Sequence, residues 1–107
     1  MKYPEIRRPV QGTLDKYGMS LYDWEVLLFQ QKGVCGVCGE EPASKRLVID
    51  HEHVRGWRHM VPEERKKYVR GLCCVTCNHF VLTRYGTVEK FRGAAAYLER
   101  YEARGKG

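Results

Sequence analysis

Cys35-x-x-Cys38 and Cys74-x-x-Cys77 are two pairs of thiols at the spacing that lets both sulfurs of a pair reach one metal ion. Between the pairs lies Asp50-His51-Glu52-His53, an acid and two imidazoles in one short string, and Asn78 follows the last cysteine directly. Paired thiolates are the usual frame of a tetrahedral zinc, where bonds near ~2.3 Å leave little tolerance for a misplaced ligand. A fifth cysteine, Cys73, sits beside Cys74. Pairing it with Cys77 would leave three residues in the gap, which is less typical of a metal-binding knuckle. Strand alternation makes the same choice, because if Leu72 and Cys74 share one face of an entering strand, Cys73 faces the other way. The expected zinc ligands are therefore Cys35, Cys38, Cys74 and Cys77, with Cys73 a small buried apolar residue. Four thiolates leave the zinc no open position, so its role would be structural.

The elements that must position these groups are short. A chain of 107 residues is one small domain, whose core is thin without a staple such as a metal. Residues 1–19 hold Pro4, Pro9, Gly12 and Gly18 among Lys2, Arg7, Arg8 and Lys16, and read as an irregular basic arm. The domain proper is expected over 20–104, with a short tail at 105–107. Ser20 with Asp23 forms a capping-box start. The helix that follows carries Leu21, Trp24, Leu27, Leu28 and Gln31 on one face and stops at Gly33. Leu47-Val48-Ile49 predicts a strand ending at Asp50, where alternation would put His51 and His53 on one side and Asp50 and Glu52 on the other unless the strand bends. Pro62 suits a first helical position, ahead of Glu63 and Glu64. Arg70 to Cys73 reads as a second strand, followed by a helix from the second knuckle to about Arg84. Gly86 breaks that helix, and Thr87 caps a final one with Val88, Phe91, Ala95 and Leu98 on one face.

Charge narrows the partner. The net charge of +6 and pI of about 9.2 favour a polyanion, with nucleic acid first. Arg55, Arg58, Arg65, Lys66, Lys67 and Arg70 cluster between the two halves of the motif, with Trp57 and Tyr68 interleaved. That pattern reads as phosphate contact with aromatic packing, against the alternative of a solvated helix face. His59 and His79 read as surface residues. No stretch near the N-terminus resembles a secretion signal, and no run approaches the ~20 apolar residues that span a bilayer. A cytosolic, reducing compartment and no membrane partner are expected, and there such cysteine pairs point to zinc over disulfides.

Taken together, Cys35-x-x-Cys38, Asp50-His51-x-His53, Arg70-Gly71-Leu72 and Cys74-x-x-Cys77-Asn78 resemble the recombination endonuclease VII group of HNH nucleases, the ββα-metal nucleases common in phages. Tyr17-Gly18 and Gln31-x-Gly33-x-Cys35 extend the resemblance, which covers roughly residues 17–101. Two departures stand out: Cys73 replaces a residue that is usually apolar, and the stretch from Val54 to Val69 is longer than usual. The resemblance implies a small α+β fold, a zinc-stabilised ββα-metal (HNH) core with flanking helices. It further implies that Asp50 and Asn78 hold a divalent ion such as magnesium, that His51 is the general base, and that His53 is a second active-site imidazole. General chemistry agrees with those roles. A carboxylate and an amide oxygen suit a hard cation that keeps positions for water and phosphate. An imidazole of ordinary pKa near 6.5 is mostly neutral at pH 7 and accepts a proton.

The expectation is a metal-dependent endonuclease acting on double-stranded or branched DNA, in the host cytoplasm if phage-encoded. The Ala-rich helix at 93–101 is suited either to pairing in a homodimer or to covering the domain's own core. A non-catalytic zinc-stabilised DNA-binding module is the alternative. It needs the cysteines and the charge but not Asp50, His51 and Asn78 together. A zinc-ribbon protein adaptor is a third reading, for which +6 is an awkward charge.

Overall fold

Helical structure begins earlier than the prolines and glycines suggest. In the computed structural model, which describes residues 3–105, Gln11–Lys16 form α1. Leu14 of α1 is buried, as are Tyr17 and Met19 just after it, so this stretch is part of the core and not an irregular arm. Of the expected arm, residues 3–10 and 17–19 lie outside helix and strand, and even there Ile6 is buried. Lys2 of the expected arm and Lys106 and Gly107 of the expected tail lie outside the described residues.

The capping box at Ser20 forms as read. Its hydroxyl accepts the Asp23 N–H at 3.0 Å, and the Asp23 carboxylate accepts the Ser20 N–H at 2.9 Å. These bonds start α2, Leu21–Gln30. Trp24 and Leu28 on its inner face are fully buried, each stabilising by about 1.5–3 kcal/mol relative to exposure. The helix ends before Gly33, with Gln31 as its C-cap. The Gln31 carboxamide then ties three pieces together. Its Nε2 donates to the carbonyls of Val34 at 2.9 Å and Leu72 at 2.8 Å, and its Oε1 accepts the Leu72 N–H at 2.9 Å. Residue 71 must be glycine for this, since a Cβ there would stand 2.9 Å from that same Oε1.

Leu72 belongs to β2, Val69–Cys73, which pairs antiparallel with β1, Val48–His51. β1 runs one residue later than expected, and β2 starts one residue earlier and ends at Cys73 as expected. Val48 faces Cys73, Ile49 faces Leu72 and Asp50 faces Gly71; an irregularity then sets His51 opposite Val69. The long connection between the strands is a 3₁₀ turn at Trp57–His59, the short α3 at Pro62–Arg65 and a second 3₁₀ turn at Lys66–Tyr68. It folds back onto the end of α1. Gly18 has φ +65°, and a Cβ on it would lie 2.3 Å from the Pro62 carbonyl oxygen.

After β2 the chain forms a helix where one was expected, wound as a π-helix over Cys77–Leu82 and ending before Arg84. Thr87 accepts the Lys90 N–H at 3.2 Å and caps α4, Val88–Ala103. None of the side chains of α4 is buried. Its expected apolar face therefore leaves the core to Ile6, Leu14, Trp24, Leu28, Ile49 and Leu72. The architecture is small α+β with a two-stranded sheet. No helix among the described residues is long and apolar enough to cross a membrane.

Candidate active site

The two knuckles close on one point. One sulfur from each of Cys35, Cys38, Cys74 and Cys77 lies within 4.8 Å of all the others. Ideal tetrahedral zinc thiolates stand roughly 3.8 Å apart, so a small contraction around an ion completes the geometry. Backbone N–H groups already point at these sulfurs, from Val37 to Cys35 at 3.3 Å and from Cys77 to Cys74 at 3.4 Å. Burial opposes ionisation of Cys35, but the N–H groups of Cys74, Cys38 and Val37 outweigh it and hold its pKa down to about 6. Cys77 is pushed up to about 12, first by burial and then by neighbouring thiols. The donor set fits structural zinc. Cys73 is buried outside the cluster, and burial pushes its thiol up to about 12.

The same knuckles hold the sheet, and the sheet carries the acid. Asp50 is 5% exposed and accepts two hydrogen bonds from Arg70 on β2, Nε to Oδ2 at 2.7 Å and Nη2 to Oδ1 at 3.0 Å. The irregularity after Asp50 re-aims the chain, as bulges do. His51 follows it. Its ring stacks on Trp57, 4.3 Å between centroids and 18° from parallel, with the His53 ring at 4.7 Å and the Tyr17 ring at 5.6 Å. Burial chiefly, and then the charge of His53, lowers the His51 pKa from the ordinary 6.5. The imidazole is thus neutral at pH 7.

Both histidines open into a cleft of about 920 Å³. Lys16, Arg55, Arg58, Arg65 and Arg84 line it, with Trp57 and Tyr85, and no carboxylate does so among the described residues. The six cations singled out in the sequence thus divide. Arg55 and Arg58 border the cleft. Arg65 borders it too, but its guanidinium donates to the carbonyls of Lys16, Arg58 and Trp57 at 3.1, 3.0 and 3.3 Å and covers the Trp57 ring at 4.6 Å. Lys66 pairs with Asp23 at 3.0 Å, and Arg70 with Asp50. Lys67 is exposed and does not line the cleft. Lys16, Arg84 and Tyr85 were not read as site residues. They come from opposite ends of the chain, Lys16 against Arg84 and Tyr85, and no local pattern joins them. Asn78 follows Cys77 into the π-helix, where its N–H donates to the Cys74 carbonyl at 3.0 Å. Its side chain borders a second, smaller cavity and hydrogen-bonds no other described residue.

A neutral His51 imidazole ringed by guanidinium groups makes a site for processing an anion, and the convergent thiols beside it make a site that could bind a stabilising metal. A family match agrees with this class. The model of the recombination endonuclease VII family matches residues 11–100, so the chain belongs to that family. No curated protein and no solved structure matches it. Membership makes it a nuclease, whose chemistry is phosphodiester hydrolysis.

Proposed function

We propose that this protein is a metal-dependent DNA endonuclease of the HNH, ββα-metal type, acting on branched or double-stranded DNA. The observation that carries the reading is the neutral His51 at the mouth of a cleft walled by five cations, next to the buried Asp50. In this reading the phosphate backbone lies across the cleft, drawn by Arg55, Arg58, Arg84 and Lys16. His51 takes the proton of the attacking water at a ring nitrogen. The Trp57 ring holds the imidazole flat from behind, and His53 contacts the phosphate.

Asp50 and Asn78 would hold a magnesium or similar ion, which would neutralise charge on the phosphate and leaving oxygen. A carboxylate offers about four lone-pair positions and Arg70 uses two, so the donor set fits a cation without losing Arg70. Branched DNA needs two cuts, and α4 suits a homodimer. Its Tyr97 and Leu98 are more than half exposed, with no core beneath them.

One observation favours the non-catalytic DNA-binding module instead: both Asp50 oxygens already accept bonds from Arg70. The test is to incubate the pure protein with supercoiled plasmid and a labelled four-way junction, in magnesium, manganese or chelator. Cleavage that needs the divalent ion is expected. Binding without cleavage under every metal would establish the module reading.

A further inference from the structure

Residues that precede the family match form, together with Arg46, a second basic surface around a cavity that Tyr17 and Asn78 also line. The match begins at residue 11, and residues 3–10 are nevertheless built into the fold. Ile6 is 3% exposed, the Arg7 N–H donates to the Lys45 carbonyl at 2.9 Å, and the Tyr3 ring meets Phe29 edge-on at 5.7 Å. This anchoring leaves Arg7 and Arg8 exposed beside Arg46, which leads into β1. All three border a cavity of about 280 Å³ whose other walls include Tyr17 and Asn78. No carboxylate lines it, and none of the three guanidinium groups has a partner among the described residues.

Tyr17 is the partition between the two basins. Its ring packs against His51, which opens into the large cleft, while Tyr17 itself borders the smaller cavity with Asn78. On the nuclease reading, a phosphate that meets both His51 and Asn78 lies near Tyr17, and the strand that carries it passes towards both basins, each lined by cations.

We infer that Arg7, Arg8 and Arg46 grip the phosphate backbone of the substrate DNA on the Asn78 side, a contact surface additional to the cleft. The inference rests on the nuclease reading above. Arginine suits the task, because its planar fork meets two phosphate oxygens at once. Each such contact releases condensed counterions and steepens the salt dependence of binding by about 0.9 in slope.

The test is binding of a labelled duplex in chelator, followed by anisotropy over a range of salt, so that no cleavage is involved. Three proteins are compared: the wild type, the triple variant Arg7→Ala/Arg8→Ala/Arg46→Ala, and the control Arg92→Ala/Arg100→Ala/Arg104→Ala. The control removes the same charge from α4. Neither triple touches Ile6 or the backbone bond at Arg7, and circular dichroism with zinc content checks the fold of each. The expected result is a salt slope shallower by up to roughly 2.7 for the arm triple, with the control close to wild type. An unchanged slope in the arm triple overturns the inference, as does an equal loss in the control, which would reduce the effect to net charge. A wild type that binds no DNA sinks the nuclease reading itself, and is told apart from the other results by that alone.

Discussion

At the scale of single residues, the cysteines divide sharply by what surrounds them. Cys73 and Cys74 are neighbours in the chain, yet only Cys74 converges with Cys35, Cys38 and Cys77. Cys73→Ala should therefore keep its zinc and lose only roughly 1 kcal/mol for a small buried side chain. Cys74→Ser should lose the zinc and the fold together. Elemental analysis and thermal unfolding of the two variants check this, and zinc loss in the first with retention in the second would reverse the assignment. His51 is the residue whose chemistry separates cutting from binding. His51→Ala should slow cleavage by about a hundred- to ten-thousand-fold, with duplex affinity little changed. Burial disfavours the imidazolium, so the lowered pKa keeps His51 a proton acceptor to a lower pH than an ordinary histidine. The acid limb of kcat/KM should accordingly fall below pH 6.5, and a limb well above that value would assign the ionisation to another group.

Among the elements, the segment between the strands decides the character of the site. It is longer than the family resemblance leads one to expect, and it supplies Trp57 behind His51 and most of the cleft's charge. Its seat is the contact of α3 with the end of α1. Gly18→Ala tests that seat. The added methyl would meet a backbone carbonyl that cannot rotate away, at a residue whose φ of +65° already disfavours a side chain. A loss of about 2 kcal/mol or more is expected in urea unfolding. Cleavage should fall further than the lost stability explains, because Arg65 and Trp57 would move with α3. A variant as stable as the wild type would show that the two elements can separate freely.

For the molecule as a whole, two kinds of metal should behave differently. The thiolate site is closed and ties both knuckles to the sheet, so its loss removes the fold. The proposed divalent ion sits on one carboxylate and one amide, with most of its positions left to water. A mild chelator wash should stop plasmid cleavage and leave the circular dichroism spectrum unchanged, and added magnesium should restore activity. Harsher removal of zinc should unfold the chain. Folded protein in reducing buffer that contains no zinc would contradict the thiolate assignment.

Much of this was legible because it depends on local spacing. Cys-x-x-Cys, the Ser20–Asp23 box and the strand leading to Asp50 are fixed by covalent geometry over a few residues, so their positions follow from order along the chain. The α1 turn was hidden by Pro9 before it, Gly12 within it and Gly18 after it, since its helicity comes from burying Leu14, with Tyr17 at its C-cap, and not from propensity. The division of the cations was hidden for a different reason. Arg65, Lys66 and Arg55 look alike in a row, and only packing sends one to backbone carbonyls, one to Asp23 and one to the cleft. The same holds for α4, whose apolar stripe suited either a partner or the domain's own core and which buries none of its side chains. Sequence alone determined which residue types could do the chemistry and roughly where the strands and helices lie. The tertiary structure decided which of those residues meet each other and which meet solvent, because burial and pairing depend on contacts between segments far apart in the chain.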